Sequence, residues 1–222
     1  MLTLELHAHT HASKDSLARP ADILRVCAER GIDRIAITDH NSIRGALEAQ
    51  ALDPVRVIVG EEVMTTQGEL LAYFVKEELP AGLEPAEAIR RLRAQGAAIS
   101  VAHPFDRHRG GAWREADLLA IAPLVDAIEV FNARCLHASD NERAQRFAQE
   151  HGLAITVGSD AHTLRELGRA TLLAERAETA DDLRAAFAVG NAAARLSSPA
   201  IHLASTAAKV WKRARRMVGG RP

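Results

Sequence analysis

Short apolar runs alternate with amphipathic segments along almost the whole chain. The runs at 2–6, 34–38, 55–59, 70–75, 97–102, 127–131 and 153–157 each have strand length. The segments between them carry helix signals. Pro20 opens and Gly31 closes one, Pro85 and Gly96 bound a second, Ser139 to Gly152 form a third, and Thr179 to Gly190 a fourth. Strand then helix, repeated, predicts parallel strands joined by right-handed crossovers, and about seven such repeats in one domain favour a closed or distorted barrel over an open sheet. The last segment, 203–218, puts Leu203, Ala207, Val210, Trp211, Ala214, Met217 and Val218 on one helical face and the basic residues on the other. We expect the apolar face to pack on the barrel and the basic face to stay in solvent. The expected organisation is a barrel at 1–202 followed by a basic amphipathic helix and tail at 203–222.

Composition narrows the class. The 222 residues suit one domain. With 47% hydrophobic and 26% charged residues, and no uncharged apolar run near the ~18 residues a membrane span needs, a soluble globular protein with no membrane partner is expected. The segment 1–6 has no basic region and reaches an acid at Glu5, unlike a secretory signal, so a cytoplasmic location is expected. Cys27 and Cys135 share no CxxC spacing, which argues against a disulfide framework or thiolate zinc site. Six of the 28 Lys and Arg lie after Leu203 with no acid among them, leaving 22 basic residues against 29 acids in the body. Aromatics are only 4%, so the stacking platforms of single-strand nucleic-acid binders are scarce.

Histidine carries the stronger signal, because five of the ten sit in polar clusters where apolar runs end. In a barrel, chemistry collects at the C-terminal ends of the strands. His7-Ala8-His9 follows the first run, and residues i and i+2 of an extended chain reach toward one side and one cation. Thr38-Asp39-His40-Asn41 ends the second and Gly60-Glu61-Glu62 the third. His103-Pro104 follows the run at 97–102, and Gly158-Ser159-Asp160-Ala161-His162 follows that at 153–157. One Asp or His at a strand end reads as a cap or a loop residue; five such ends in one chain read as a metal centre.

Taken in order, His7-x-His9, Ser13 to Asp15, Thr38-Asp39-His40, Gly60-x-Glu62, His103-Pro104 and Ser159-Asp160-Ala161-His162 resemble the motifs of the PHP (polymerase and histidinol phosphatase) superfamily over residues 4 to 171. The resemblance implies an α/β fold, a distorted (βα)7 barrel, with two or three divalent ions (Zn, Mn or Fe) at the C-terminal ends of the strands. Carried over by position, His7, His9, Glu62 and Asp160 would bind a first ion. Glu62 would bridge to a second held also by His103, and Asp15, His40 and His162 would hold a third. The family spacing Gly-x-Glu selects Glu62 over Glu61. Many relatives have a histidine in the strand matching 70–75, which this chain lacks; water, phosphate or Glu69 would complete the second site. His11 is left outside the ligand set, because we expect the chain to have turned into a loop there.

Such a centre implies hydrolysis of a phosphate ester by metal-activated water, with no protein nucleophile, on a small phosphorylated substrate. Asp39 would orient a ligand, manage a proton, or simply cap its loop. Arg107 and Arg134 are the expected phosphate binders, since guanidinium matches a phosphoryl oxygen pair. Arg109 reads as a solvated loop charge, and Arg165 and Glu166 as surface residues. The leading activity is a histidinol-phosphatase-like phosphomonoesterase. A nuclease or nucleotide phosphatase directed to a 5′-phosphate would use the same centre, with nucleic acid as the second-choice partner. Two-metal amidohydrolases also use His-x-His but commonly need a bridging carboxylated lysine; here only Lys76 lies near a strand end, and Glu62 fills that role. A non-catalytic structural module would be expected to have lost ligands that this chain keeps.

Overall fold

The computed structural model describes residues 1–109 and 111–217. In chain order the elements are β1 (Leu2–Ala8), α1 (Pro20–Arg30), β2 (Arg34–Ile37), α2 (Arg44–Leu52), β3 (Val57–Met64), β4 (Glu69–Tyr73), α3 (Pro85–Ala94), β5 (Ala98–Val101), α4 (Glu115–Ile121), β6 (Ala127–Asn132), α5 (Ala138–His151), β7 (Ile155–Gly158), β8 (Ala170–Ala174), α6 (Ala180–Val189), β9 (Ala192–Ala194) and α7 (Ile201–Met217). The punctuation read from sequence sets several boundaries. Pro20 and Pro85 open α1 and α3, and Gly31, Gly152 and Gly190 end α1, α5 and α6 at positive φ.

Among the described residues the strands form one sheet in the order β7-β6-β5-β4-β3-β2-β1-β8-β9. Its seven-strand part curls until the ends of β1 and β7 meet: His9 N–H donates to the Ala161 carbonyl at 2.8 Å and Ala161 N–H to that of His7 at 3.1 Å. The result is a nearly closed α/β barrel. The uniform strand–helix repeat does not hold throughout. Strands β1, β2, β3, β5, β6 and β7 run parallel, but β4 is antiparallel to both β3 and β5, and β8 is antiparallel to β1. Apolar periodicity does not encode strand direction. It also missed β8, β9, α2 and α4, whose short or alanine-rich sequences carry little pattern.

Two apolar layers follow from this wrapping. Leu4, Ala36, Ile58, Leu71, Tyr73, Ala98, Ala127 and Leu172, drawn from seven strands, fill the barrel interior, which Leu183 and Phe187 of α6 close at one end. Ile35, Ile37, Val57 and Val59 face outward onto Ile23, Val26, Ala46 and Leu92 of the helices. Burying each of the Val, Leu, Ile and Phe side chains among them contributes roughly 1.5–3 kcal/mol.

The last helix lies opposite to expectation. Leu203, Val210 and Trp211 are 74%, 64% and 47% exposed, whereas Ser205 and Ala208 are buried. The surface beneath α7 is the polar mouth of the barrel, with bare carbonyls and an acid, and it accepts the polar side of the helix. Val218 of the expected stripe lies outside the described residues. No helix among the described residues is long and apolar enough to cross a membrane.

Candidate metal centre

Strict alternation along β1 would put His7 and His9 on the face of Glu5, outside the barrel. A β-bulge prevents this. Glu5 pairs with Ile35 but Ala8 with Ile37, so three steps on β1 match two on β2. Leu6 and His7 therefore both oppose Ala36, Ala8 turns outward, and His7 and His9 point inward above Leu4 and Leu6. A second bulge, in β6 between Glu129 and Phe131, brings Glu129 and Asn132 into the same space. Reversal of β4 contributes too, since a strand running against its neighbours presents its first residue, Glu69, at the rim where the others end. Trp113 fixes that residue: its Nε1–H donates to the Glu69 carbonyl at 3.2 Å, and its ring lies where a Cβ on Gly68 would stand.

The inward side chains converge. The donor atoms of His7, His9 and Asp160 lie within 4.8 Å of one another, as do those of His7, Glu62 and His103, of His9, His40 and His162, and of His40, Glu62 and Glu69. His9 Nε2 is 3.2 Å from Asp160 Oδ1 and 3.4 Å from Glu62 Oε2, and His7 Nε2 is 3.4 Å from Glu62 Oε1. His103 Nε2 is 3.0 Å from Glu62 Oε1 and 3.5 Å from Glu69 Oε2. Asp15 sits 3.2 Å from His162 Nε2 and 3.5 Å from His40 Nε2. A cation about 2.0–2.2 Å from each of its ligands separates them by roughly 3–3.5 Å, the spacing found here. His7 Nε2, His9 Nε2 and Asp160 Oδ1 are buried without a hydrogen-bond partner, a costly arrangement that a shared cation relieves. The residues present fit divalent metal ions.

Surrounding groups aim these donors. His7 Nδ1–H donates to Glu129 Oε1 at 2.9 Å, His9 Nδ1–H to Ser13 Oγ at 3.1 Å, and His162 Nδ1–H to the Asp160 carbonyl at 2.8 Å, which leaves each Nε2 lone pair facing inward. The Ser13 hydroxyl in turn donates to Asp39 Oδ1 at 2.6 Å, and Thr10 donates to both Asp39 oxygens. Asp39 thus acts through Ser13 on His9 and does not reach the cluster itself. Glu129, which the sequence reading left unassigned, also accepts from His103 N–H and Asn132 Nδ2. Glu5, outside the bulge, takes the N–H groups of His7, Ser159 and Gly168, and burial pushes its carboxyl up to about 7.

The electrostatics match a cation site. Burial and the neighbouring His162 press His9 down to about 3, keeping it neutral and able to ligate. Burial opposes the charge on Asp160, but Arg109 and His7 hold its carboxyl well below the usual range. For His7 burial is outweighed by Asp160, Glu129 and Glu62, which raise it well above the ordinary value. Two donors also sit on strained backbone, with φ of 52° at Asp160 and 21° at His103, as positions held for function often do.

The arginines are placed otherwise than the sequence suggests. Arg107 turns away from the cluster onto Asp140, 2.9 Å distant, with its side chain 66% exposed. The chain turns after Asp106 so that Arg109 faces inward, with Nη2 on Asp160 Oδ2 and Nε 3.1 Å from Asp106. Arg134 is buried, 3.0 Å from Glu166, which is itself buried and not on the surface. His11 pairs with Glu48 instead of joining the cluster. Above the donors opens a cavity of about 460 Å³, lined by Asp15, His40, Glu69 and His162 on its floor, by Lys14, Arg109 and Arg134 on its sides, and by His202, Ser205, Thr206 and Lys209 of α7.

Comparison with known proteins is consistent with this geometry. A family model described as PHP-associated matches residues 138–192. An uncharacterized protein of Methanocaldococcus jannaschii is 36% identical over 172 residues, covering 76% of this chain and 69% of the relative. Another from the same archaeon is 37% identical over 145 residues, covering 58% of this chain and 81% of the relative. The fold superposes with a TM-score of 0.69, at 19% identity, on a two-domain protein from Bacteroides vulgatus containing a predicted PHP-like metal-dependent phosphoesterase. That match covers 88% of this chain and 64% of the other, so the chain spans less than two thirds of that protein's length. A lesion-specific endonuclease from Pyrococcus furiosus shares the fold with a TM-score of 0.59 at 17% identity, over 85% of this chain and 56% of that one.

Proposed function

This chain belongs to the PHP superfamily, and from that premise we propose that it is a divalent-metal-dependent phosphoesterase acting on small phosphomonoesters, in the manner of a histidinol phosphatase. The observation that carries the reading is the ring of buried His and carboxylate donors at the floor of a cavity whose sides bear Arg109 and Arg134. Two or three bound Zn, Mn or Fe ions supply Lewis acidity, which acidifies water and neutralises phosphoryl oxygens. His7, His9, Asp160 and Glu62 would hold the first ion. Glu62 would share the second with His103 and Glu69, Glu69 standing in for the histidine that many relatives have there. Asp15, His40 and His162 would hold the third.

The remaining residues bind and orient. Arg109 presents its guanidinium to the phosphoryl oxygens while staying fixed on Asp106 and Asp160, and Arg134 supplies positive charge from the α7 side. Asp39 keeps Ser13, and through it His9, in one orientation. The catalytic unit is the barrel of residues 1–202, to which 203–222 add a helix and tail.

A cavity of this volume suits a ligand the size of a sugar or amino-alcohol phosphate. The endonuclease neighbour favours a second reading, action at a 5′-phosphate end of nucleic acid. Phosphate release by the Mn²⁺-loaded chain from sugar phosphates, amino-alcohol phosphates, nucleotides and short 5′-phosphorylated oligonucleotides tests both. Preference for the small esters is expected; turnover of the oligonucleotides alone would overturn it.

A further inference from the structure

Helix α7 is fastened across the mouth of the barrel at both ends of its contact. His202 Nε2–H donates to the Arg134 carbonyl at 3.1 Å, and Ser205 Oγ accepts from Arg134 Nη2 at 2.8 Å. About two turns further on, Lys212 Nζ donates to the carbonyl oxygens of His11 and Ser13, in the loop that carries Asp15. Between these fastenings stands Lys209, four residues after Ser205, on the same side of the helix. Its Nζ is 3.3 Å from Asp15 Oδ2, its side chain is 52% exposed, and it lines the cavity above the donors.

We propose that Lys209 is a substrate-binding residue, its ammonium taking non-reacting oxygens of the phosphoryl group. This rests on the phosphoesterase reading and adds to it a contact from outside the barrel. The two arginines at the cavity are more fully committed. Arg109 is held between Asp106 and Asp160, and Arg134 between Glu166 and Ser205. A lysine ammonium has three donors on a flexible stem, so contact with Asp15 leaves others directed into the cavity. Because Asp15 belongs to the third donor group, an ammonium beside it stands next to where the phosphoryl group must lie. The fastenings at Ser205 and Lys212 fix the helix, so Lys209 can bind without first ordering its own backbone, which lowers the entropic cost.

The test is the binding of inorganic phosphate to the Mn²⁺-loaded full chain, by calorimetry, for wild type, Lys209→Ala and Lys209→Arg, with metal content and melting temperature measured on each. Lys209→Ala is expected to weaken phosphate binding by about tenfold or more, the loss of one charge-assisted contact, at unchanged metal content and melting temperature. Lys209→Arg is expected to recover most of the affinity. Two results would overturn the assignment: Lys209→Ala binding phosphate as wild type does, or losing metal together with phosphate, which would make Lys209 a support for Asp15. A wild-type chain that takes up Mn²⁺ but no phosphate would remove the phosphoesterase reading itself.

Discussion

Glu62 is the carboxylate on which the cluster turns, touching His7, His9, His40 and His103. Glu62→Ala and His9→Ala are accordingly expected to lower both bound metal and phosphatase rate, measured by elemental analysis and phosphate release after reconstitution with Mn²⁺. Glu129→Gln keeps the shape but weakens the acceptor that aligns His7 and His103, and metal affinity should fall by about 10–100-fold. The arginines give a paired comparison: Arg109→Ala should cut kcat/KM on the best substrate by about tenfold or more, while Arg107→Ala, which loses an ion pair to the buried Asp140 away from the donor cluster, should change it less than about twofold. The inward donors were legible because His and carboxylate at strand ends are rare together. Glu129 was not: it shares the inward face with Ala127, but a lone mid-strand acid differs in no pattern from a solvent-facing one. Arg107 and Arg109 stand in a loop without periodicity, where sequence cannot tell which side chain faces inward.

At the level of elements, β3 changes partner direction along its length, parallel to β2 over Val57–Val59 and antiparallel to β4 from Gly60 onward. The change passes through a close approach: a Cβ on Gly60 would lie 2.8 Å from the Ala72 carbonyl oxygen and 2.9 Å from Thr38 Cγ2. Gly60→Ala is expected to cost about 1–3 kcal/mol, read from urea unfolding, because backbone on both sides leaves little room to give. The apolar runs themselves located all seven strands of the barrel. What they could not convey was the reversal of β4, and with it the arrival of Glu69 at the rim. Helix α7 was misjudged for a related reason. Its stripe of Leu203, Val210 and Trp211 promised burial, but the available surface was a polar mouth that rewards Ser205, Lys209 and Lys212 instead.

For the molecule as a whole, the buried acids Glu62, Asp160, Asp15 and Glu69 gather like charge that cations neutralise, so metal loading should stabilise the entire fold. An ion present at a hundred times its Kd adds about 2.7 kcal/mol, and in a chain of this size each kcal/mol moves the melting temperature by roughly 2–4 °C. Calorimetric melting with saturating Mn²⁺ should therefore exceed that of the chelated protein by about 5–10 °C; equal values would mean that no ion binds the folded state. The two tryptophans of the chain fall in different environments. Trp113 is sealed under the first residue of β4, and Trp211 rides half-exposed on α7 with the Arg215 guanidinium 4.8 Å over its ring. Light absorbed by the protein is thus re-emitted from two environments, a dry one beneath the floor and a wet one on the roof. A water-borne quencher should extinguish the second first, so floor and roof can be watched separately without attaching any dye.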